Sequence, residues 1–227
     1  MHILVLGRGK TGSLVAEVAH QRGHEVRVVG SSQNEAGRAL SKQSLKGVDI
    51  VIDFTTPQAV RDHISSCISS GINLVVGTTG WYDSLPQIRE SVLQAGIGFL
   101  YAANFSIGVN LLFEIVREGA EALRHHYSGQ IFERHHADKK DAPSGTALQL
   151  QKLVREVSGK ELEVISFREG EVVGMHELVL NSPHDTLYLC HDSKSRRGFA
   201  EGAVRAAEWL ADKKGLFNFQ DIWKELL

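Results

Sequence analysis

The first half of the chain alternates two hydrophobic rhythms. "HILVLG" is a short apolar run closed by Gly7, the pattern of a strand buried on both faces. "KTGSLVAEVAHQRG" then sets Leu14, Val15, Val18 and Ala19 at helical spacing and stops on Gly23, a predicted C-cap. "HEVRVVG", "VDIVIDFT", "INLVVGTTG" and "IGFLYAANF" predict further strands, each ending in small or polar residues. Between them, "PQAVRDHISSCISSG" and "SLPQIRESVLQAG" carry helical periodicity, with Pro57 and Pro86 near the starts, where a missing N–H costs little. Strands alternating with helices predict a parallel, doubly wound α/β sheet across residues 1 to about 105.

The rhythm then changes. "VNLLFEIVREGAEALRHH" predicts a long amphipathic helix, and "GQIFERHH" a strand. After the helix "TALQLQKLVREV", the segments "LEVISFREG", "VVGMHELVLN" and "DTLYLCHD" read as successive strands with short turns, which favours antiparallel pairing. The closing helix, "GFAEGAVRAAEWLADK", returns to the apolar spacing of the first half. The pattern is a nucleotide-type α/β domain, an α+β insert, and a helix that packs back on the first domain.

Composition narrows the partners. The 227 residues are 42% hydrophobic and 23% charged, with a formal net charge of -2. That balance gives no reason to expect nucleic acid or an anionic membrane, so any attraction for anions must be local. Cys67 and Cys190 lie far apart without metal-ligand spacing, which favours a reduced, cytoplasmic setting over a disulfide framework. "MHILVLGRGKTG" is expected to be folded structure and not a signal peptide. No apolar run approaches the length of a membrane span.

"VLGRGKTGSLV" supplies Gly7, Gly9 and Gly12 between a predicted strand and helix, the context that a G-x-G-x-x-G loop requires. Glycines let the backbone turn tightly against a pyrophosphate, whose charge the helix N-terminus favours. An NAD enzyme would place an acid near the end of the second strand to hold the adenosine ribose. Here "RVVGSSQN" offers Gly30, Ser31 and Ser32 instead, with Arg8 and Lys10 close by in the glycine loop. A ribose 2′-phosphate would meet positive charge and hydroxyls, so NADPH is preferred to NADH as the expected cofactor. Thr55, Thr56, Gly77, Thr78 and Thr79 close the third and fourth strands, where the sheet's ligand crevice lies. Capping of the following helices explains any one of these threonines nearly as well.

The richest stretch is "ERHHADKKDAPSGTALQLQ", residues 133–151. Pro143, Ser144, Gly145 and Thr146 precede an apolar-periodic run and read as a helix start, whose first amides have no internal partner. Lys139, Lys140 and the histidines His135 and His136 supply charge on the approach, so the site prefers a small anion, most simply a carboxylate. Imidazole and ammonium groups beside it can also move protons. A basic exposed loop before a capped helix is the plainer alternative. No Cys, Glu-x-x-His or H-x-x-x-H spacing completes a ligand set around the paired histidines, so no metal is expected. Ser144 lacks the glycine-elbow context of a nucleophile.

The run "HHADKKDAPSGTA" closely resembles the signature of the 4-hydroxy-tetrahydrodipicolinate reductase (dihydrodipicolinate reductase) family of lysine and diaminopimelate biosynthesis. "IDFTTP", "VVGTTGW", "AANFSIGVNLL" and "SRRGFAEGAVRAAEWL" resemble that family's other blocks, in family order, from end to end of the chain. The resemblance implies an NADPH- or NADH-dependent oxidoreductase that reduces a cyclic imine dicarboxylate to tetrahydrodipicolinate. It implies His135 as proton donor and acceptor, Lys139 as proton donor to the reduced ring, and His136, Gly145 and Thr146 on the substrate. The dinucleotide is implied to contact Gly7, Arg8, Gly9, Lys10, Thr11 and Gly12, then Gly77, Thr78 and Thr79, then Ala102, Ala103, Asn104 and Phe105. Arg196 and Phe199 are implied at the nicotinamide crevice.

The implied architecture is a Rossmann-like cofactor domain from residues 1–105 and 196–227, with residues 106–195 inserted as a substrate-binding domain. The resemblance further implies that this insert builds a homotetramer through its sheet. Two domains closing over the substrate would exclude water and strengthen the charge interactions. The chain departs from the family in being short, in having one residue fewer between its first two glycines, and in lacking the acid after the second strand. A dehydrogenase for an amino-acid semialdehyde or a diaminopimelate would instead need a catalytic cysteine or an aspartate-based ammonia site. A non-catalytic sensor would bind NADPH without consuming it.

Overall fold

A computed structural model describes residues 1–34 and 39–227. The chain divides into two compact units, Met1–Ser106 with Arg197–Leu227, and Ile107–Arg196.

The first unit is built on β1 (His2–Leu6), α1 (Lys10–Gln21), β2 (Glu25–Val29), β3 (Ile50–Asp53), α2 (Val60–Ser70), β4 (Asn73–Val76), α3 (Leu85–Ala95) and β5 (Gly98–Tyr101). In the whole-chain series that follows, α6 (Arg197–Leu210), β10 (Gly215–Asn218) and the short α7 (Phe219–Ile222) complete it. Its six strands run in the order β10-β5-β4-β3-β1-β2 and every neighbouring pair is parallel. Buried from both sides, β1, β3 and β4 read as the unbroken apolar runs that the sequence shows. Helices α2 and α3 stop at Gly71 and Gly96 in the left-handed conformation. Strand β10 is a sixth strand that the hydrophobic pattern does not announce, being four half-buried residues with no alternation, added in parallel to β5. Helix α6 buries Ala200, Gly202, Ala203, Ala206 and Ala207, and packs so closely that a Cβ on Gly202 would lie 1.9 Å from the Phe105 carbonyl oxygen.

The second unit holds α4 (Ile107–Gly119), β6 (Ser128–His135), α5 (Gly145–Ser158), β7 (Val164–Arg168), β8 (Met175–Asn181) and β9 (Thr186–Asp192). The long predicted helix ends at Gly119 and tightens into a 3₁₀ turn over Ala120–Arg124. The sheet order is β7-β6-β8-β9. Antiparallel pairing holds for β6 with β8 and for β8 with β9, but β7 pairs in parallel with β6. The expectation of three successive antiparallel strands is corrected there. Helix α5 carries the chain across the sheet between β6 and β7, and a helical crossover returns the second strand parallel to the first. Val109, Leu112, Val116, Ile131, Leu150, Val154, Leu178 and Leu180 form this unit's core between α4, α5 and one face of the sheet.

Candidate active site

Two sites emerge, one in each unit. In the first, Gly7 turns the chain out of β1 at φ +105°, where a Cβ would lie 2.1 Å from the Phe54 carbonyl oxygen. A Cβ on Gly12 would meet the Gly7 carbonyl oxygen at 2.3 Å, and one on Gly77 the Phe54 ring at 2.3 Å. Close backbone approach requires Gly7 and Gly12, and the Phe54 ring leaves no room for a side chain at Gly77. Gly9 caps α1 without any side-chain hydrogen bond, so the first-turn amides face outward. A cavity of about 420 Å³ is lined by Gly7, Arg8, Gly9, Ser31, Asn34 and Thr55, among others. A second of about 220 Å³ is lined by Gly9, Lys10, Thr11, Gly12, Phe54, Thr55, Gly77 and Thr78. An uncapped helix N-terminus at the end of a parallel strand, with room beside it, suits a dinucleotide pyrophosphate. The residues present fit that group.

Thr79 is exposed and lines neither cavity. Ala102, Ala103, Asn104 and Phe105 follow β5 outside both linings. Phe105 is buried, its ring centroid 6.0 Å from that of Phe54 and 5.0 Å from that of Phe219. Arg8 lies over the loop after β2, donating to the Val28 carbonyl at 3.3 Å, and its Cδ would stand 3.2 Å from a Cβ on Gly30.

The second site lies at one end of the second unit's sheet. Successive side chains on a strand alternate faces, so Glu133 and His135 on β6 share one. Register places His176 of β8 opposite Glu133, and Arg168 of β7 opposite His135. Glu133 is fully buried. Its Oε1 accepts from Arg168 Nη2 at 2.6 Å and from the Ser144 amide at 3.3 Å, and its Oε2 engages His135 Nδ1. Burial works against its charge, but the Arg168 guanidinium and then His135 outweigh it and hold the carboxyl down at about 2. Burial lowers the His135 pKa, opposed by Glu133 and helped by Lys139 and Arg168. His176, with its Nε2 3.1 Å from Ser144 Oγ, is pushed down to about 3, mainly by burial and then by His135.

Ser144 caps α5, its Oγ accepting from the Ala147 amide at 3.2 Å. Gly145 opens the helix on the surface, with no atom within 4 Å of where a Cβ would be. Thr146 follows, half-buried. Lys139 Nζ donates to the Asp141 carboxylate at 2.8 and 2.9 Å, and the Asp141 carbonyl accepts from Arg168 Nη2 at 2.6 Å. His135, Lys139 and the head of α5 therefore belong to one connected network, centred on Glu133 and Arg168. His136 lies just beyond β6, its carbonyl accepting from the Lys139 amide at 3.2 Å. Glu133, His135 and His176 bring ligand-type atoms within 4.8 Å of one another. Both Glu133 oxygens are already taken by cationic or N–H partners, so the trio reads as a hydrogen-bond network.

Sequence reasoning did not assign Glu133, Arg168 or His176. The signals were the Glu-x-His spacing on a strand and a histidine on the apolar face of "MHELVLN". Neither cysteine behaves as a nucleophile: Cys67 is buried, its thiol pushed up to about 12, and burial also raises exposed Cys190. No helix among the described residues is long and apolar enough to cross a membrane.

Comparison with known proteins places both units in one family. Residues 1–105 match the family described as dihydrodipicolinate reductase, N-terminus, and residues 108–223 the one described as its C-terminus. A 4-hydroxy-tetrahydrodipicolinate reductase from Christiangramia forsetii is 35% identical over 100% of this chain and 99% of that protein. One from Natronomonas pharaonis is 38% identical over 97% of this chain and 99% of its own. A solved structure of dipicolinate-bound dihydrodipicolinate reductase from Paenisporosarcina sp. TG-14 shares the fold with a TM-score of 0.78 at 24% identity, covering 98% of this chain and 99% of that one. With both halves matched in order, the chain belongs to the dihydrodipicolinate reductase family.

Proposed function

We propose that the chain reduces 4-hydroxy-tetrahydrodipicolinate, or its dehydrated form, to tetrahydrodipicolinate, with NADPH preferred to NADH. The observation that carries this reading is the second-unit network: an oriented imidazole, an ammonium and the N-terminus of α5 lie together at one sheet end. Gly7 to Gly12 hold the pyrophosphate, and Gly77 and Thr78 border the nicotinamide half. The bound dinucleotide supplies hydride. Gly145 and Thr146 at the head of α5, with His136 nearby, hold a substrate carboxylate, whose negative charge a helix N-terminus favours. His135 offers Nε2, which makes no hydrogen bond among the described residues, as the atom that takes and gives a proton. Lys139 donates a proton to the reduced ring, with Asp141 holding its ammonium.

Arg8 beside the loop after β2 supports the preference for a 2′-phosphate. A spectrophotometric assay with NADPH and NADH in parallel, on substrate freshly made by the preceding enzyme, tests the whole reading. Absence of turnover with both dinucleotides defeats it. Arg8→Ala is expected to weaken NADPH about tenfold and NADH little, as loss of one charge-assisted contact implies.

The second unit's open sheet face supports a homotetramer. Phe132, Phe167, Val179 and Tyr188 share the side opposite Ile131 and Leu178, and Tyr188 is 67% exposed. Tyr188→Lys is expected to give smaller species in light scattering.

A further inference from the structure

We propose that Glu133 is a positioning residue for the reaction, its ionised carboxylate fixing His135 with Nδ1–H donated inward, so that Nε2 alone exchanges protons, while its second oxygen anchors the head of α5. The inference rests on the reading of His135 given above. An ionised carboxylate only accepts hydrogen bonds, so the Nδ1 that meets Glu133 Oε2 carries the proton. The neutral ring then has its lone pair on Nε2. Three features hold the carboxylate in that state and place. It is fully buried, out of contact with bulk solvent. Arg168 Nη2 compensates its charge at 2.6 Å. The Ser144 amide adds a third contact from the turn that opens α5.

The far side of the imidazole is equally confined. A Cβ on Gly174 would stand 2.9 Å from His135 Nε2, and the His176 ring lies edge-on at 5.1 Å between centroids. The ring is therefore held by its hydrogen bond to Glu133 and by its approach to Gly174 and His176. One carboxylate thereby couples the group that moves protons to the helix head that holds the substrate.

Glu133→Gln tests this while keeping shape. The new amide oxygen must satisfy Arg168 and Ser144, which turns the amide NH₂ towards His135 and demands an unprotonated Nδ1. Nitrogen NMR of histidine-labelled wild-type protein is expected to show His135 as the Nδ1–H tautomer, and the variant the Nε2–H tautomer. Turnover should fall by about a hundredfold or more, as wrong-tautomer imidazoles do elsewhere, with dinucleotide affinity unchanged. An Nε2–H tautomer in the wild type overturns the proposal, and this measurement stands even if the variant does not fold. So does a folded variant with near-normal turnover, or one that loses turnover without a tautomer change. Undiminished turnover in His135→Ala would instead defeat the earlier assignment of His135, leaving the tautomer result to be judged by itself.

Discussion

Each unit buries a carboxylate against a histidine, and the two pairs differ in what is left over. Asp53, at the end of β3 and fully buried, accepts from His63 Nδ1 at 2.6 Å through Oδ2. Its Oδ1 accepts from the Thr55 amide, the Thr55 hydroxyl and the Thr78 hydroxyl, at 3.0, 2.7 and 2.7 Å. The outer nitrogen of His63 is also engaged, 2.9 Å from Asn34 Nδ2. Both ring nitrogens are spent, and the pair braces the strand ends and the wall of the larger cavity. Glu133 likewise takes His135 Nδ1, but it is neutralised by a full cation, and His135 Nε2 makes no hydrogen bond among the described residues. A carboxylate and a histidine, equally buried, make a brace where both ring nitrogens are bound, and on the proposed reading they leave a nitrogen for proton exchange where one is not.

Paired substitutions should separate these roles most sharply. His135→Ala is expected to lower turnover by roughly 10²- to 10⁴-fold, the range of a lost general acid–base group, with dinucleotide affinity kept. His63→Ala leaves a buried carboxylate oxygen without its donor, a cost of about 1–3 kcal/mol that should appear as a lower Tm and a higher KM for the dinucleotide. Stopped turnover in His63→Ala alongside intact turnover in His135→Ala would invert the comparison. Lys139→Ala should resemble His135→Ala in turnover while barely moving Tm, because its ion pair with Asp141 lies at the surface.

The same contrast explains what could be read from the sequence. Local patterns were legible: "HILVLG" followed by "KTGSLVAEVAHQ" gave strand, glycine loop and helix, and "PSGTALQLQ" marked the start of α5 at Gly145. The doubly wound parallel sheet followed from the alternation of such segments. Pairing across sequence distance was not legible. Nothing in "LEVISFREG" says that β7 lies beside β6 and not β8, because the helical crossover decides it. Arg168 and His176 flank the Glu133–His135 pair only through register, 35 residues away for the Arg168–Glu133 bond. Glu133 itself stood in the quoted run, but its burial, and hence its meaning, comes from strands that the run does not contain. β10 escaped because a short edge strand carries no alternation.

Acid should dismantle the second network from its histidine outward. His176 sits near 3 instead of 6.5, so the unfolded chain binds the proton first. Its contribution is complete above 6.5 and is lost as pH falls through that interval towards 3. Glu133, at about 2 against an ordinary 4.5, contributes fully above 4.5 and loses its part as pH drops towards 2. Protection of the β6 and β8 amides against hydrogen exchange, taken relative to the intrinsic rate at each pH, should fall as pH drops below 6.5, and His176→Asn should flatten the upper part of that slope. A slope unchanged by His176→Asn would place the acid sensitivity elsewhere.

Crowding His135 from its free side is a milder probe. Gly174→Ala would set a methyl 2.9 Å from Nε2 and 3.2 Å from Cδ2, so the ring must shift from its present position against Glu133. Misplacement on that scale is expected to cost about tenfold to a hundredfold in turnover. The overpacking itself should lower stability by roughly 1–3 kcal/mol. Normal turnover would mean that the ring tolerates displacement and that its orientation matters less than its presence.

The smallest effect should come from Ser144→Ala, and it is informative because it divides a hydroxyl from a backbone amide. Loss of the hydroxyl removes the acceptor for the Ala147 amide and the 3.1 Å partner of His176 Nε2, a capping loss of about 1 kcal/mol. The Ser144 amide that donates to Glu133 stays in place, so the His135 tautomer and the proton chemistry should persist. A modest drop in Tm with turnover held within about threefold is therefore expected, since a capping loss of that size weakens the helix without touching the reacting groups. A collapse of turnover would instead show that the hydroxyl takes part in the chemistry and that the network reaches further along the turn than Glu133.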